Sequence, residues 1–167
     1  KMPVKFLVSH DKNLVNLFES TYSSETKPLI EANAKDAFGI LDNWLAQHGE
    51  AGDYRAAKEA LVNMEALALC GCVFYVNGNG AAFILGEELT PDTFVIHFEK
   101  AAGGYPGLLQ YLNRSFAELL PPRYVYINRE QDLGDEGLRQ SKQSYRPVTY
   151  IKKYRISSGS LRRGPAS

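Results

Sequence analysis

The run Cys72-Val73-Phe74-Tyr75-Val76-Asn77-Gly78-Asn79-Gly80-Ala81-Ala82-Phe83-Ile84-Leu85 decides how the chain folds. Two short apolar runs flank an Asn-Gly-Asn-Gly segment, and Asn and Gly supply the positive-φ positions that a tight hairpin needs. The stretch therefore predicts antiparallel strands over 72–76 and 81–85. Toward the C-terminus, Thr90-Pro91-Asp92 makes a second turn into a strand over 94–98, which completes a three-stranded meander. Gly103, Gly104 and Gly107 then lead into a helix bearing Leu108, Leu109, Tyr111, Leu112, Phe116 and Leu119, ended by Pro121-Pro122. A strand over 124–127 follows. A helix between it and 94–98 makes those two strands parallel, joined by a right-handed crossover. A short helix over 136–143 and a last strand over 148–156 complete this side.

Toward the N-terminus, Ile30, Ala34, Ala37, Phe38, Leu41, Trp44 and Leu45 recur at helical spacing, predicting an amphipathic helix to about His48. Residues 49–53 are a connection with Asp53 as N-cap. A second helix follows, with Ala57, Ala60, Leu61, Met64, Leu67 and Ala68 on one face and Gly71 as its stop. Residues 1–26 are a poorly defined segment or linker, with a short strand over 4–8 and one helical turn at Leu14, Val15 and Phe18 as its only signals. The domain proper is expected over 27–156. Residues 157–167 read as a disordered tail or an appended remnant.

The chain has 167 residues, of which 44% are hydrophobic and 23% charged, which fits one domain able to bury its own core. The longest near-apolar run, 67–76, is about half of a membrane span, and no basic-then-apolar leader is visible. A cytoplasmic setting is the expectation. The two cysteines, Cys70 and Cys72, are too few for a structural zinc site, and no metal is expected. The net charge is zero, but no acidic residue follows Glu136, while Arg139, Lys142, Arg146, Lys152, Lys153, Arg155, Arg162 and Arg163 do. The last 31 residues thus carry +8 against −8 on the rest. A basic third on an acidic body points to phosphates, nucleic acid or anionic lipid; solvated strand edges and a charged tail give the same count.

Three segments carry a resemblance. They are His97-Phe98-Glu99-Lys100-Ala101, then Gln110-Tyr111-Leu112-Asn113 with Phe116-Ala117, then the run Ile127–Arg139 continued by Lys142, Ser144-Tyr145 and Pro147. Together they resemble an uncharacterised bacterial family related to the C-terminal domain of phosphatidylglycerol lysyltransferases. The resemblance implies an α+β, GNAT-like acyltransferase fold: an antiparallel meander joined to a splayed parallel strand pair, with the donor's acyl arm in the gap. It implies transfer of an aminoacyl or acyl group to an amine or hydroxyl acceptor such as a lipid headgroup. Aminoacyl-tRNA or a coenzyme A thioester would be the co-substrate, with no resident cofactor required. Members of that group pair two such domains, so a second GNAT-like domain is an implied partner, together with tRNA or another phosphate-bearing donor.

Individual residues have two readings each. Glu99 and Lys100 end a strand beside the gap and alternate in facing. A carboxylate there can anchor an ammonium or accept a proton, and a lysine can neutralise phosphate; a solvated strand end needs neither. Asn128 ends the second parallel strand, where its amide can reach a donor, or simply shape a turn. Asp132 precedes the acidic start of the 136–143 helix and is taken, on the resemblance, as a substrate-facing carboxylate. Arg139 and Lys142 share a helix face suited to donor phosphates, or to solvent. Tyr145 is placed as a donor-side residue or as packing at the helix end. Lys100-Ala101-Ala102-Gly103-Gly104-Tyr105 departs from the usual coenzyme A pyrophosphate loop, because Tyr105 replaces a small residue and Pro106 removes an N–H donor. That ranks aminoacyl-tRNA ahead of coenzyme A. A non-catalytic module binding a partner domain or RNA is the competing reading.

Overall fold

At the hairpin, Asn77 and Gly78 alone form the turn, with φ of +51° and +82°. Val76 pairs directly with Asn79 across it. The computed structural model describes residues 12–49, 53–130 and 136–151. Because the turn takes two residues rather than four, β3 begins at Asn79; both strands also run further at their other ends than expected, β2 over Cys70–Val76 and β3 over Asn79–Thr90. The second turn leads into β4, Thr93–Ala101. The antiparallel meander over β2, β3 and β4 is present as the sequence implies.

The strand pair that defines the fold is also present. β5, Tyr126–Asn128, runs parallel to β4, with Thr93 opposite Tyr126, Phe94 opposite Ile127 and Val95 opposite Asn128. Pairing stops there, while β4 continues to Ala101. Among the described residues, the edge of β4 beyond Val95 is thus left open on the β5 side, which is the splay of an α+β, GNAT-like sheet.

A fifth strand, β1 (Ser24–Pro28), pairs antiparallel with β2 at the other edge. Its residues, Ser-Glu-Thr-Lys-Pro, show no apolar alternation, so nothing in their side chains announces a strand. Backbone pairing with Cys72–Val76 holds it, and Pro28 sits at its end, where a missing N–H is tolerated. Before it, α1 spans Lys12–Thr21, longer than the single turn expected, and buries Val15 and Phe18. Phe18 stacks on Tyr111 at 4.6 Å, and Tyr22 meets Tyr105 edge-on at 5.4 Å. The stretch before residue 27 therefore contributes a helix and most of a strand to the domain.

Two helical layers cover the sheet. α2 (Ala34–His48) and α3 (Tyr54–Val62) bury Ile40, Leu41, Ala57 and Leu61 against Val73, Phe83 and Leu85. α1 and α4 (Leu108–Leu119) cover the other face, where Phe18, Leu112 and Phe116 meet Phe74, Ile84 and Phe94. α3 stops at Val62, short of the expected Ala68, because the Asn63 amide donates to the Glu59 carbonyl at 2.8 Å and closes the helix; residues 63–68 are turns. α5, Glu136–Ser144, matches its expected helix. Residues 148–151 are irregular rather than strand, whereas 152–156, the strand expected over 4–8 and the tail over 157–167 lie outside the described residues.

Candidate functional site at the parting of β4 and β5

A bulge on β4 sets the site's geometry. Leu85 pairs with Phe98 but Gly86 pairs with Ile96, so one step on β3 opposes two on β4, and His97 is the extra residue. The alternation resets there. Phe94 and Ile96 face α4, and beyond the bulge Glu99 faces α4 while Phe98 and Lys100 face α2 and α3. Gly86 permits the bulge: a Cβ there would overlap the Val95 carbonyl and lie 2.8 Å from a Phe94 ring carbon.

Glu99 exposes only 14% of its side chain, and both its oxygens are engaged. Oε1 accepts from the Asn113 amide of α4 at 2.9 Å, and Oε2 accepts from Arg129 Nη2 at 2.8 Å. Asn113 is buried and also donates to the Leu109 carbonyl at 2.8 Å. Arg129 directly follows β5, so its side chain leaves the end of one parallel strand and reaches across the open gap to the other. Its guanidinium lies 4.7 Å from the Tyr145 ring, and its carbonyl accepts from Lys142 Nζ at 2.6 Å. The end of α5 is thereby fastened to the end of β5. Among the described residues, Arg129 Nη1 is buried with no hydrogen-bond partner.

Beside this cluster, His97 joins two carboxylates: Nδ1 lies 3.0 Å from Glu130 Oε1 and Nε2 lies 2.9 Å from Glu87 Oε1. Asn128 Oδ1 accepts from the Glu130 N–H at 2.8 Å, which makes Asn128 the anchor of a turn in which Glu130 has a φ of +54°.

The expected site residues therefore separate. Glu99, Lys142 and Tyr145 meet around Arg129, with Asn128 shaping the turn beside them. Arg139 is exposed on α5, and Asp132 lies outside the described residues. Lys100 lies on the opposite face of β4, 6% exposed, with Nζ 2.6 Å from Asp53 and 3.8 Å above the Trp44 ring. Asp53, expected to cap α3, spends its carboxylate on Lys100 and makes no side-chain cap. Sequence reasoning did not single out Arg129 or Asn113. Both stand in the segments quoted above, and the usable signal for Arg129 was its place just past the C-terminal end of a parallel strand, where α/β sheets present ligand-binding groups.

The glycine-bearing loop after β4 borders an open cavity of about 310 Å³ between the C-terminus of α2 and the N-terminus of α4. Its backbone donors are partly used within the chain. The Gly103 N–H donates to Gln47 Oε1 at 3.1 Å, and the Leu108 N–H donates to the Tyr105 carbonyl at 3.1 Å. Among the described residues, no group of three or more His, Cys, Asp or Glu side chains is arranged to hold a metal ion, and no helix is long and apolar enough to cross a membrane.

Residues 9–157 match the family described as phosphatidylglycerol lysyltransferase, C-terminal. A conserved protein of unknown function from Bacteroides thetaiotaomicron is similar at 37% identity and a TM-score of 0.78, over 84% of this chain and 50% of that one. A C-terminal domain assigned to a lysylphosphatidylglycerol synthetase from Agrobacterium fabrum is similar at 15% identity and a TM-score of 0.60, over 86% of this chain and 54% of that one. A ribosomal-protein-alanine N-acetyltransferase from Brucella melitensis shares the fold, at 14% identity and a TM-score of 0.61, over 82% of this chain and all of that one. The chain thus spans about half the length of the first two proteins. No curated protein shows significant sequence similarity to it.

Proposed function

Since the chain belongs to the phosphatidylglycerol lysyltransferase C-terminal family and carries a GNAT-like acyltransferase fold, we propose that the open end of the β4/β5 gap is an aminoacyl-transfer site. The donor is aminoacyl-tRNA and the acceptor an amine or hydroxyl, such as that of a lipid headgroup. The observation that carries this reading is the Glu99–Asn113–Arg129 cluster at the point where the parallel strands part. Asn113 and Arg129 hold the Glu99 carboxylate in one orientation, and each of its oxygens keeps a second lone pair for an incoming donor. That donor is the ammonium of the aminoacyl group, or the acceptor's own proton as its oxygen or nitrogen attacks the ester carbonyl. The attack forms the new acyl bond and breaks the ester bond; the ribose oxygen leaves with the bonding electron pair, takes up the proton the acceptor has lost, and becomes the free ribose hydroxyl. Lys142 and Tyr145 hold the end of α5 against Arg129, and Arg139 on the same helix, with the basic residues after it, serves the donor's phosphates. Asp132 is retained as a second carboxylate for the same substrate. Lys100 has no part in this reading, because it is committed to Asp53 on the other face.

A coenzyme A thioester ranks second. Pro106 lacks an N–H, and the donors of Gly103 and Leu108 are taken by Gln47 and Tyr105, so the loop offers few amides to a pyrophosphate. The reading as a non-catalytic binding module is favoured by one fact: both oxygens of Glu99 are satisfied within the chain. The test is transfer of a labelled amino acid from a mixed aminoacyl-tRNA pool to phosphatidylglycerol vesicles. The parent should discharge the pool faster than buffer, and Glu99→Gln should slow it by about 100-fold or more, the usual scale for a lost general base. Discharge no faster than buffer would favour the binding module.

A further inference from the structure

Arg129 Nη1 is the one buried side-chain nitrogen or oxygen among the described residues that has no hydrogen-bond partner. Buried polar atoms are almost always paired, and a guanidinium, with five donors in a fixed fork, is costly to bury with one arm idle. The other arm is fixed: Nη2 is held on Glu99 Oε2 at 2.8 Å, so the fork cannot turn Nη1 elsewhere without breaking that bond. Nη1 is therefore held beside a carboxylate, at the end of the strand gap. An anion is poorly suited to that spot, since Glu99 would repel it. A neutral carbonyl oxygen next to a positively charged nitrogen fits both groups, with the oxygen on Nη1 and the ammonium on Glu99.

We propose that Arg129 Nη1 receives the carbonyl oxygen of an α-amino ester whose ammonium rests on Glu99, so that the pair selects acyl groups carrying an ammonium on the carbon next to the carbonyl. The inference rests on the acyl-transfer reading of this site and adds a residue and a selection rule to it. When the acceptor attacks, the carbonyl oxygen gains negative charge, and a guanidinium nitrogen already placed on it stabilises the tetrahedral intermediate more than the ground state. The carbonyl then re-forms as the ester oxygen leaves with the bonding electron pair and takes up the proton the acceptor has lost, and Arg129 keeps its proton throughout. The Tyr145 ring, 4.7 Å from the guanidinium, borders this spot.

The experiment uses three small probes and NMR titration of the arginine side-chain nitrogens: alanine methyl ester, which has both groups, sec-butylamine, which has only the ammonium, and methyl propanoate, which has only the carbonyl. The parent is compared with Arg129→Lys, which keeps a cation for Glu99 but has no second nitrogen, and with Glu99→Gln. Arg129→Gln, which also keeps a donor for Glu99, replaces the lysine variant if that variant loses its dispersed spectrum. The expected result is that alanine methyl ester shifts the Arg129 resonances saturably and binds tighter than either partial probe. Arg129→Lys should weaken the ester about tenfold or more while leaving sec-butylamine within about twofold. Ester binding that needs Glu99 but ignores Arg129→Lys would overturn the inference and leave the acyl-transfer reading standing. Equal weakening of ester and amine would mark Arg129 as structural and overturn it too. No saturable response to the ester in the parent would overturn both.

Discussion

Arg129 reaches Glu99 at 2.8 Å across the part of the β4 edge that β5 leaves unpaired, so an ion pair bridges the two strands where their hydrogen bonding ends. The side chains expose 16% and 14%, which keeps the pair largely out of reach of salt screening. It links β4 to the segment after β5 beyond the three residue pairs that join the two strands.

Removing one partner should therefore cost stability as well as function. Glu99→Ala leaves the guanidinium mostly buried without its carboxylate, and unfolding in urea should show a loss of about 3 kcal/mol, the low end for a broken buried pair. Glu99→Gln keeps an acceptor and should lose less. A Glu99→Ala midpoint equal to the parent's would show that the pair does not bridge the two strands.

The sheet was legible in the sequence because its signals are local. Asn77-Gly78 announces the hairpin by residue type, and the helix over 108–119 announces the parallel pair by its period. β1 was not legible, since Ser24–Pro28 joins the sheet through backbone bonds that no side-chain pattern encodes. The facing of Glu99 was legible only relative to Lys100. Which of them turned toward α4 depended on the bulge at His97, and that in turn depends on Gly86 in the neighbouring strand. Arg129 escaped notice because its importance comes from where β5 stops, and strand ends are the least determined feature of a sequence reading. Asp53 was assigned to a cap by proximity in sequence; Lys100, far along the chain, holds it instead.

Gly86→Ala tests the bulge directly. The new methyl group would overlap the Val95 carbonyl, a backbone atom of the paired strand that cannot swing away. The fold should lose about 3 kcal/mol or more, the upper range for overpacking, and the amide resonances of β3 and β4 should shift together. A variant as stable as the parent would show that the bulge does not depend on glycine.

Alkaline pH should weaken the fold through two groups on β2. Burial, and then the neighbouring Cys70, push the Cys72 thiol up to about 11 from 9.0. Burial, and then the hydrogen bond to Asp36, push the Tyr75 hydroxyl up to about 12 from 10.0. Both groups hold their protons longer when folded, so their stabilisation is complete below about pH 9 and drains away as the pH rises toward 11 and 12. Urea midpoints at pH 8, 9, 10 and 11 should fall steadily above 9, and less steeply in a Cys72→Ala/Tyr75→Phe double variant. Parallel curves for the two proteins would contradict the assignment.

Coenzyme A should bind weakly, with Kd no tighter than about 0.1 mM, because several loop amides are absent or already used. Gln47→Ala releases the Gly103 N–H and should improve binding several-fold in calorimetry. No change would show that this amide does not face the ligand.

Whether the gap between β4 and β5 takes an aminoacyl donor through Glu99 is read from equilibrium binding of aminoacyl-tRNA, uncharged tRNA and acetyl-coenzyme A to the parent and to Glu99→Gln. Charged tRNA should bind the parent about tenfold or more tighter than uncharged tRNA, in keeping with one charge-assisted hydrogen bond, and Glu99→Gln should erase the difference while leaving uncharged tRNA unaffected. Equal affinity of the parent for charged and uncharged tRNA, with low-micromolar binding of acetyl-coenzyme A, would contradict the aminoacyl-transfer reading.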